Sequence, residues 1–136
     1  MLAGAAILGL GLVVGALRRK APHRPVRITG SADKTVAKAL HVHLEARPGR
    51  EEEVEGLLRD ILGHVGREPR TGPWYGVRYT RSTFGIFEAF PDDAARNAHL
   101  TGTGAEALME RSNALLAAPA RIDKLDVLMS KSVIAR

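Results

Sequence analysis

From Lys38 onward the chain switches between a two-residue and a 3.6-residue hydrophobic period, and the switches mark out the elements. Leu40, Val42 and Leu44 alternate with His41, His43 and Glu45, which predicts a strand that buries one face. Arg47-Pro48-Gly49 turns the chain. Glu51, Glu52 and Glu53 then lead a helix whose apolar positions Val54, Leu57, Leu58, Ile61, Leu62 and Val65 follow one helical stripe. Pro69 and Thr71-Gly72-Pro73 end that element, and Trp74 to Thr80 is expected as a second strand. Phe84, Ile86, Glu88 and Phe90 alternate with Gly85, Phe87 and Ala89 in a third strand. Its apolar face therefore carries a single carboxylate. Pro91-Asp92-Asp93 stops the strand and supplies an acidic first turn for a helix that places His99 about two turns in.

A break at Thr101-Gly102-Thr103-Gly104 divides this second helix, whose latter half, Ala105 to Ala117, turns Leu108, Met109, Leu115 and Leu116 inward. The glycines there lack the Lys and the spacing of a phosphate loop and read as a helix break. Ile122 to Ser130 is the last strand. The order β-α-β-β-α-β predicts an α+β, ferredoxin-like unit, a four-stranded antiparallel sheet with both helices on one face. If Arg81-Ser82 is a two-residue hairpin turn, Tyr75 faces Glu88, Val77 faces Ile86, and Tyr79 faces Phe84 on the helix side. Trp74, Phe87, Ala89 and Leu128 then fall on the open face, and a second copy of the chain is the expected cover.

Residues 36–132 make one domain, and what precedes them is compositionally separate. Leu2 to Leu17 is an uncharged run ending at Arg18-Arg19-Lys20, expected as a membrane anchor over residues 1–20, with residues 21–35 a flexible basic linker. Gly11 and Gly15 are spaced for helix pairing but are ordinary in membrane helices. The positive-inside rule puts the globular domain in the cytoplasm, as would an upstream misread of the start site. The net charge of +5 does not imply nucleic-acid binding, because residues 1–39 carry a net +6 and the remainder a net −1. There is no cysteine, hence no disulfide framework and no thiolate metal site.

The run Glu45-Ala46-Arg47-Pro48-Gly49 into an acidic helix, then Phe84-x-Ile86-x-Glu88-x-Phe90 and the helical His99, resembles the antibiotic biosynthesis monooxygenase domain family. The resemblance implies a dimeric α+β barrel and a pocket between sheet and helices. It also implies cofactor-independent oxygenation of a quinol-like or other aromatic small molecule. The family pattern Phe-x-Leu-x-Glu-x-Trp is matched with Ile86 in place of the Leu, except that Phe90 stands for the Trp. Haem-degrading relatives are expected to carry Asn where this chain has Val42 and Trp where it has Phe90, so haem cleavage is not implied. Val42, Tyr75, Tyr79, Phe84, Ile86 and Phe90 are the expected substrate-binding residues. Glu88 and His99 are the expected proton handlers, with no cofactor, because a phenol must lose a proton before it passes an electron to oxygen. A buried Glu88–His99 pair tying helix to sheet is the plainer account of the same residues. A non-catalytic dimeric module that sequesters a lipophilic molecule at the membrane is the rival function. His41 and His43 share one strand face and, with Glu45, could approach a metal, but the two histidines lack an assigned third ligand, so no metal is expected.

Overall fold

The computed structural model describes residues 36–131. Seven elements follow in order: β1 (Lys38–Glu45), α1 (Glu51–Val65), β2 (Trp74–Arg78), β3 (Thr83–Phe90), α2 (Asp93–Leu100), α3 (Thr103–Leu115) and β4 (Arg121–Asp126). The sheet is antiparallel with strand order β2-β3-β1-β4, the ferredoxin-like arrangement that the periodicity predicts. The N-terminal helix expected over residues 2–17 lies outside the described residues, and no helix among the described residues is long and apolar enough to cross a membrane.

Local chemistry accounts for the boundaries. Asp92 ends β3's run after Pro91 and caps α2, its carboxylate accepting the Ala95 N–H at 2.8 Å. Glu51, Glu52 and Glu53 occupy the first turn of α1, where the helix dipole favours them. The inner face of the sheet supplies Val42, Leu44, Phe84 and Ile86 to a core completed by Val54, Leu57, Leu58, Ile61 and Val65 of α1 and Leu108 and Leu115 of α3. A smaller cluster of Leu40, Phe90 and Ala95 lies beneath α2. Arg96 locks that helix to the sheet, its guanidinium donating to the carbonyls of Ala39 and Leu125 at 3.3 and 3.0 Å and to Asp93 at 2.6 Å.

The β2–β3 register differs by one residue from the expected pairing. Trp74 opposes Glu88, Tyr75 opposes Phe87, Gly76 opposes Ile86, Val77 opposes Gly85 and Arg78 opposes Phe84. Thr80 is the reason, because its hydroxyl accepts the N–H groups of Ser82 and Thr83 at 3.3 and 3.1 Å and so belongs to the turn. The loop is thus Thr80-Arg81-Ser82, closed by the Tyr79 N–H on the Thr83 carbonyl at 2.8 Å. An odd loop in place of an even one exchanges the faces of the whole strand. Trp74 turns inward, and Tyr75, Val77 and Tyr79 turn to the open face beside Phe87.

Three smaller differences follow from the layer geometry. Met109 is largely exposed and Leu62 half exposed, since each lies at the rim of its helix's buried stripe. The last strand stops at Asp126, leaving Leu128 and Met129 exposed beyond the sheet. On the open face, Tyr79 lies over Gly85, where a Cβ would come within 2.9 Å of the Tyr79 ring and 3.1 Å of the Val42 carbonyl. The Gly85→Ala variant should therefore lose about 1–3 kcal/mol of stability in urea denaturation, since the Val42 carbonyl belongs to a paired strand and cannot give way.

Candidate functional site

Glu88 is the single carboxylate on the inner face of β3, and it is 2% exposed. An ionised carboxylate there requires compensation. His99, on the last turn of α2, provides it: Nε2 lies 3.0 Å from Glu88 Oε1. The other ring nitrogen, Nδ1, lies 2.7 Å from Glu68 Oε2, and that oxygen also accepts the Thr71 hydroxyl at 2.5 Å. The imidazole is thus held between two carboxylates, one deep in the core and one partly open to solvent, with the Phe90 ring at 5.2 Å beside it.

Burial disfavours the charged imidazole, but the hydrogen bonds and charges of Glu88 and Glu68 outweigh it and hold the His99 pKa above its ordinary 6.5. Both nitrogens then act as donors, which is the form that satisfies both carboxylates.

Beside Glu88 and His99 lies a small cavity of about 30 Å³, lined also by Leu40, Val42, Trp74 and Ile86 among others. It has room for about one water molecule and is too small for an aromatic ring. Two polar atoms of its lining residues have no hydrogen-bond partner among the described residues: Glu88 Oε2 and Trp74 Nε1. Trp74 is also a wall of an open groove of about 600 Å³ between α1 and β2, with Glu55, Leu58, Arg59 and Leu62. Its ring packs over Gly76, where a Cβ would lie 3.2 Å from the indole edge. On the outer side of His99, Glu68, Arg70, Ala95 and Ala98 border a second surface depression of about 300 Å³.

The structure thus brings together Glu88, His99, Val42, Ile86 and Phe90 of the expected residues. Phe84 is buried and borders the 600 Å³ groove. Tyr75 and Tyr79 are not on this side; both are more than half exposed on the open face, displaced by the hairpin register. There Tyr79 shares a 2.7 Å hydrogen bond with His41 and stacks on His43 at 5.8 Å. No group of three or more His, Cys, Asp or Glu able to hold a metal forms among the described residues. Sequence reasoning missed Glu68 and misplaced Trp74. Glu68 follows α1 in an aperiodic charged segment, where nothing local signals its partner. Trp74 was open to detection as the one tryptophan of the chain and as the residue opposite Glu88 under an odd loop.

Comparison with known proteins agrees with this architecture. A protein of unknown function from Nitrosomonas europaea is 38% identical with a TM-score of 0.72, the match covering 76% of this chain and all of that one. A protein from Pseudomonas aeruginosa is 24% identical with a TM-score of 0.61, covering 71% and 98% of the two chains. An antibiotic biosynthesis monooxygenase is 18% identical with a TM-score of 0.60, covering 67% and 98%. No family model and no curated protein sequence matches the chain. The fold is therefore one shared with an antibiotic biosynthesis monooxygenase of known structure. Within it, the chain belongs to the family of the Nitrosomonas europaea protein.

The triad makes stability depend on pH in a defined direction. Because folding raises the His99 pKa, its contribution is complete below the unfolded value of about 6.5 and is lost as pH rises through the folded value. Urea denaturation should show stability falling as pH rises above about 6.5, and the His99→Gln variant should lack that decline.

Proposed function

We infer that the domain binds a small aromatic, quinol-like molecule and oxygenates it without a cofactor, with Glu88 and His99 handling the substrate proton. The observation that carries this reading is the buried Glu88–His99–Glu68 array beside a cavity whose remaining lining is largely apolar. A phenolic proton passes to Glu88 Oε2, and His99 releases its Nδ1 proton to Glu68, which opens to solvent. Once Glu68 passes that proton to solvent the charge of the array itself is unchanged, and the one new negative charge is that of the substrate phenolate. One atom of dioxygen becomes a ring carbonyl and the other leaves as water, with all electrons supplied by the substrate ring.

The groove beside Trp74 favours a second reading, a binding module that sequesters a lipophilic molecule without turnover, since it is open, large enough for a ring and walled by Leu58, Leu62 and the indole. Oxygen uptake by the full chain over a panel of quinols decides between them. Uptake is expected, and Glu88→Gln should lower kcat by about a hundredfold or more. Binding without uptake selects the sequestering module, and turnover unaffected by Glu88→Gln removes the proton-handling role.

The fold is typically dimeric. In this chain the open face presents Tyr75, Val77, Phe87 and Leu125, each more than a third exposed, and a homodimer that covers them is part of the proposal. The full chain should run at twice its chain mass in size exclusion with light scattering at micromolar concentration, and Phe87→Glu at one chain mass. A monomeric parent chain would contradict this. The proposed membrane tether through residues 2–17, with the domain in the cytoplasm, rests on sequence alone.

A further inference from the structure

Two residues that line the 30 Å³ cavity each keep a buried polar atom without a partner among the described residues, the indole N–H of Trp74 and Oε2 of Glu88. They belong to directly opposed residues of β2 and β3. Glu88 is 2% exposed and its other oxygen is engaged by His99, so Oε2 retains its accepting capacity for something inside the cavity. Apart from His99, whose two ring nitrogens are engaged by Glu88 and Glu68, the rest of the lining, Leu40, Val42, Ile61, Ile86 and Leu108 among it, is apolar. Buried donors and acceptors are rarely left unmet, so the pair calls for an occupant.

We propose that Trp74 and Glu88 form a hydroxyl-binding subsite, filled by water in the resting protein and by the hydroxyl of a phenolic ligand when one is bound. The occupant donates its hydrogen to Glu88 Oε2 and accepts the Trp74 indole N–H through its oxygen. This pairing selects by chemistry. An ammonium has no acceptor for the indole, a carboxylate repels Glu88, and an ether or ketone has no hydrogen for Oε2. The cavity takes only the hydroxyl. Because Trp74 also walls the 600 Å³ groove, the ring of the ligand lies on the groove side, with the indole moving to admit the hydroxyl. The inference deepens the functional reading above by naming the atoms that recognise the substrate, and it requires no turnover.

Trp74 is the one tryptophan of the chain, so its indole N–H gives a single assignable nuclear magnetic resonance signal. In the ¹⁵N-labelled full chain this signal should show a cross-relaxation contact to water. Phenol should shift the signal saturably and abolish the water contact, while anisole, which has the same ring and no hydroxyl hydrogen, should bind at least about tenfold more weakly. Trp74→Phe, followed by calorimetry because the reporter is gone, should weaken phenol by a similar factor. Equal response to phenol and anisole, or a water contact that persists at saturating phenol, would overturn the subsite. Selective phenol binding with no oxygen uptake from any quinol leaves the subsite standing and removes the oxygenase reading. Uptake without an indole response does the reverse.

Discussion

A carboxylate on the buried face of a central strand is the constraint around which this domain is arranged. Ionised Glu88 without a partner would cost several kcal/mol, more than most single contacts in a domain of this size contribute. The partner has to arrive from the helical layer, at the right height above β3. Asp92 starts α2 immediately after the strand, and Arg96 fastens the helix to the carbonyls of β1 and β4. His99 on its last turn then reaches Glu88, and the Glu68 contact fixes the other side of the ring. The helix break after Leu100 belongs to the same requirement. It frees α3 to pack on α1 while α2 keeps the angle that His99 needs.

The second constraint is parity. A hairpin loop of two residues would have put Tyr75 and Tyr79 over Glu88 and sent Trp74 outward. Thr80 enters the turn through its hydroxyl, the loop gains a residue, and the tryptophan comes in. The consequence is chemical as well as geometric. Two phenols that would have been proton carriers in the pocket are replaced by an indole, which only donates. The open face receives the tyrosines instead, and with His41, His43 and Phe87 they make a surface of aromatic edges and imidazoles, distinct from the aliphatic core behind it.

Much of this was legible from the chain because period and punctuation agree. Val54, Leu57, Leu58, Ile61 and Val65 fall on one stripe, Leu40, Val42 and Leu44 on one face, and Pro91-Asp92-Asp93 at the strand-to-helix junction, so the βαββαβ order follows from local signals alone. The proximity of Glu88 and His99 follows too, because the connection between them is short and its cap is explicit. What was illegible depends on a single side-chain hydrogen bond or on a long-range meeting. Arg81-Ser82 looks like a two-residue turn until the Thr80 hydroxyl is seen to accept two N–H groups. Glu68 lies 31 positions from His99 in a segment without periodicity, and only the tertiary fold, which sets the segment after α1 beside the last turn of α2, brings them together.

The triad also explains why a site this enclosed is compatible with acid–base chemistry. With an imidazolium between two carboxylates the array carries one net negative charge. The same proton count is kept when Glu88 is protonated and His99 neutral, provided that the imidazole proton leaves through Glu68. A proton then passes through the array with no change in the array's own charge, which lowers the cost of moving it through the core. A lone buried carboxylate has no such freedom; it either ionises at high cost or stays protonated. The second carboxylate, at 23% exposure, is what connects the array to solvent. The Glu68 contact satisfies the buried Nδ1 of His99 and, because Glu68 is partly open, also gives the array a way to solvent that a histidine tied to Glu88 alone would lack.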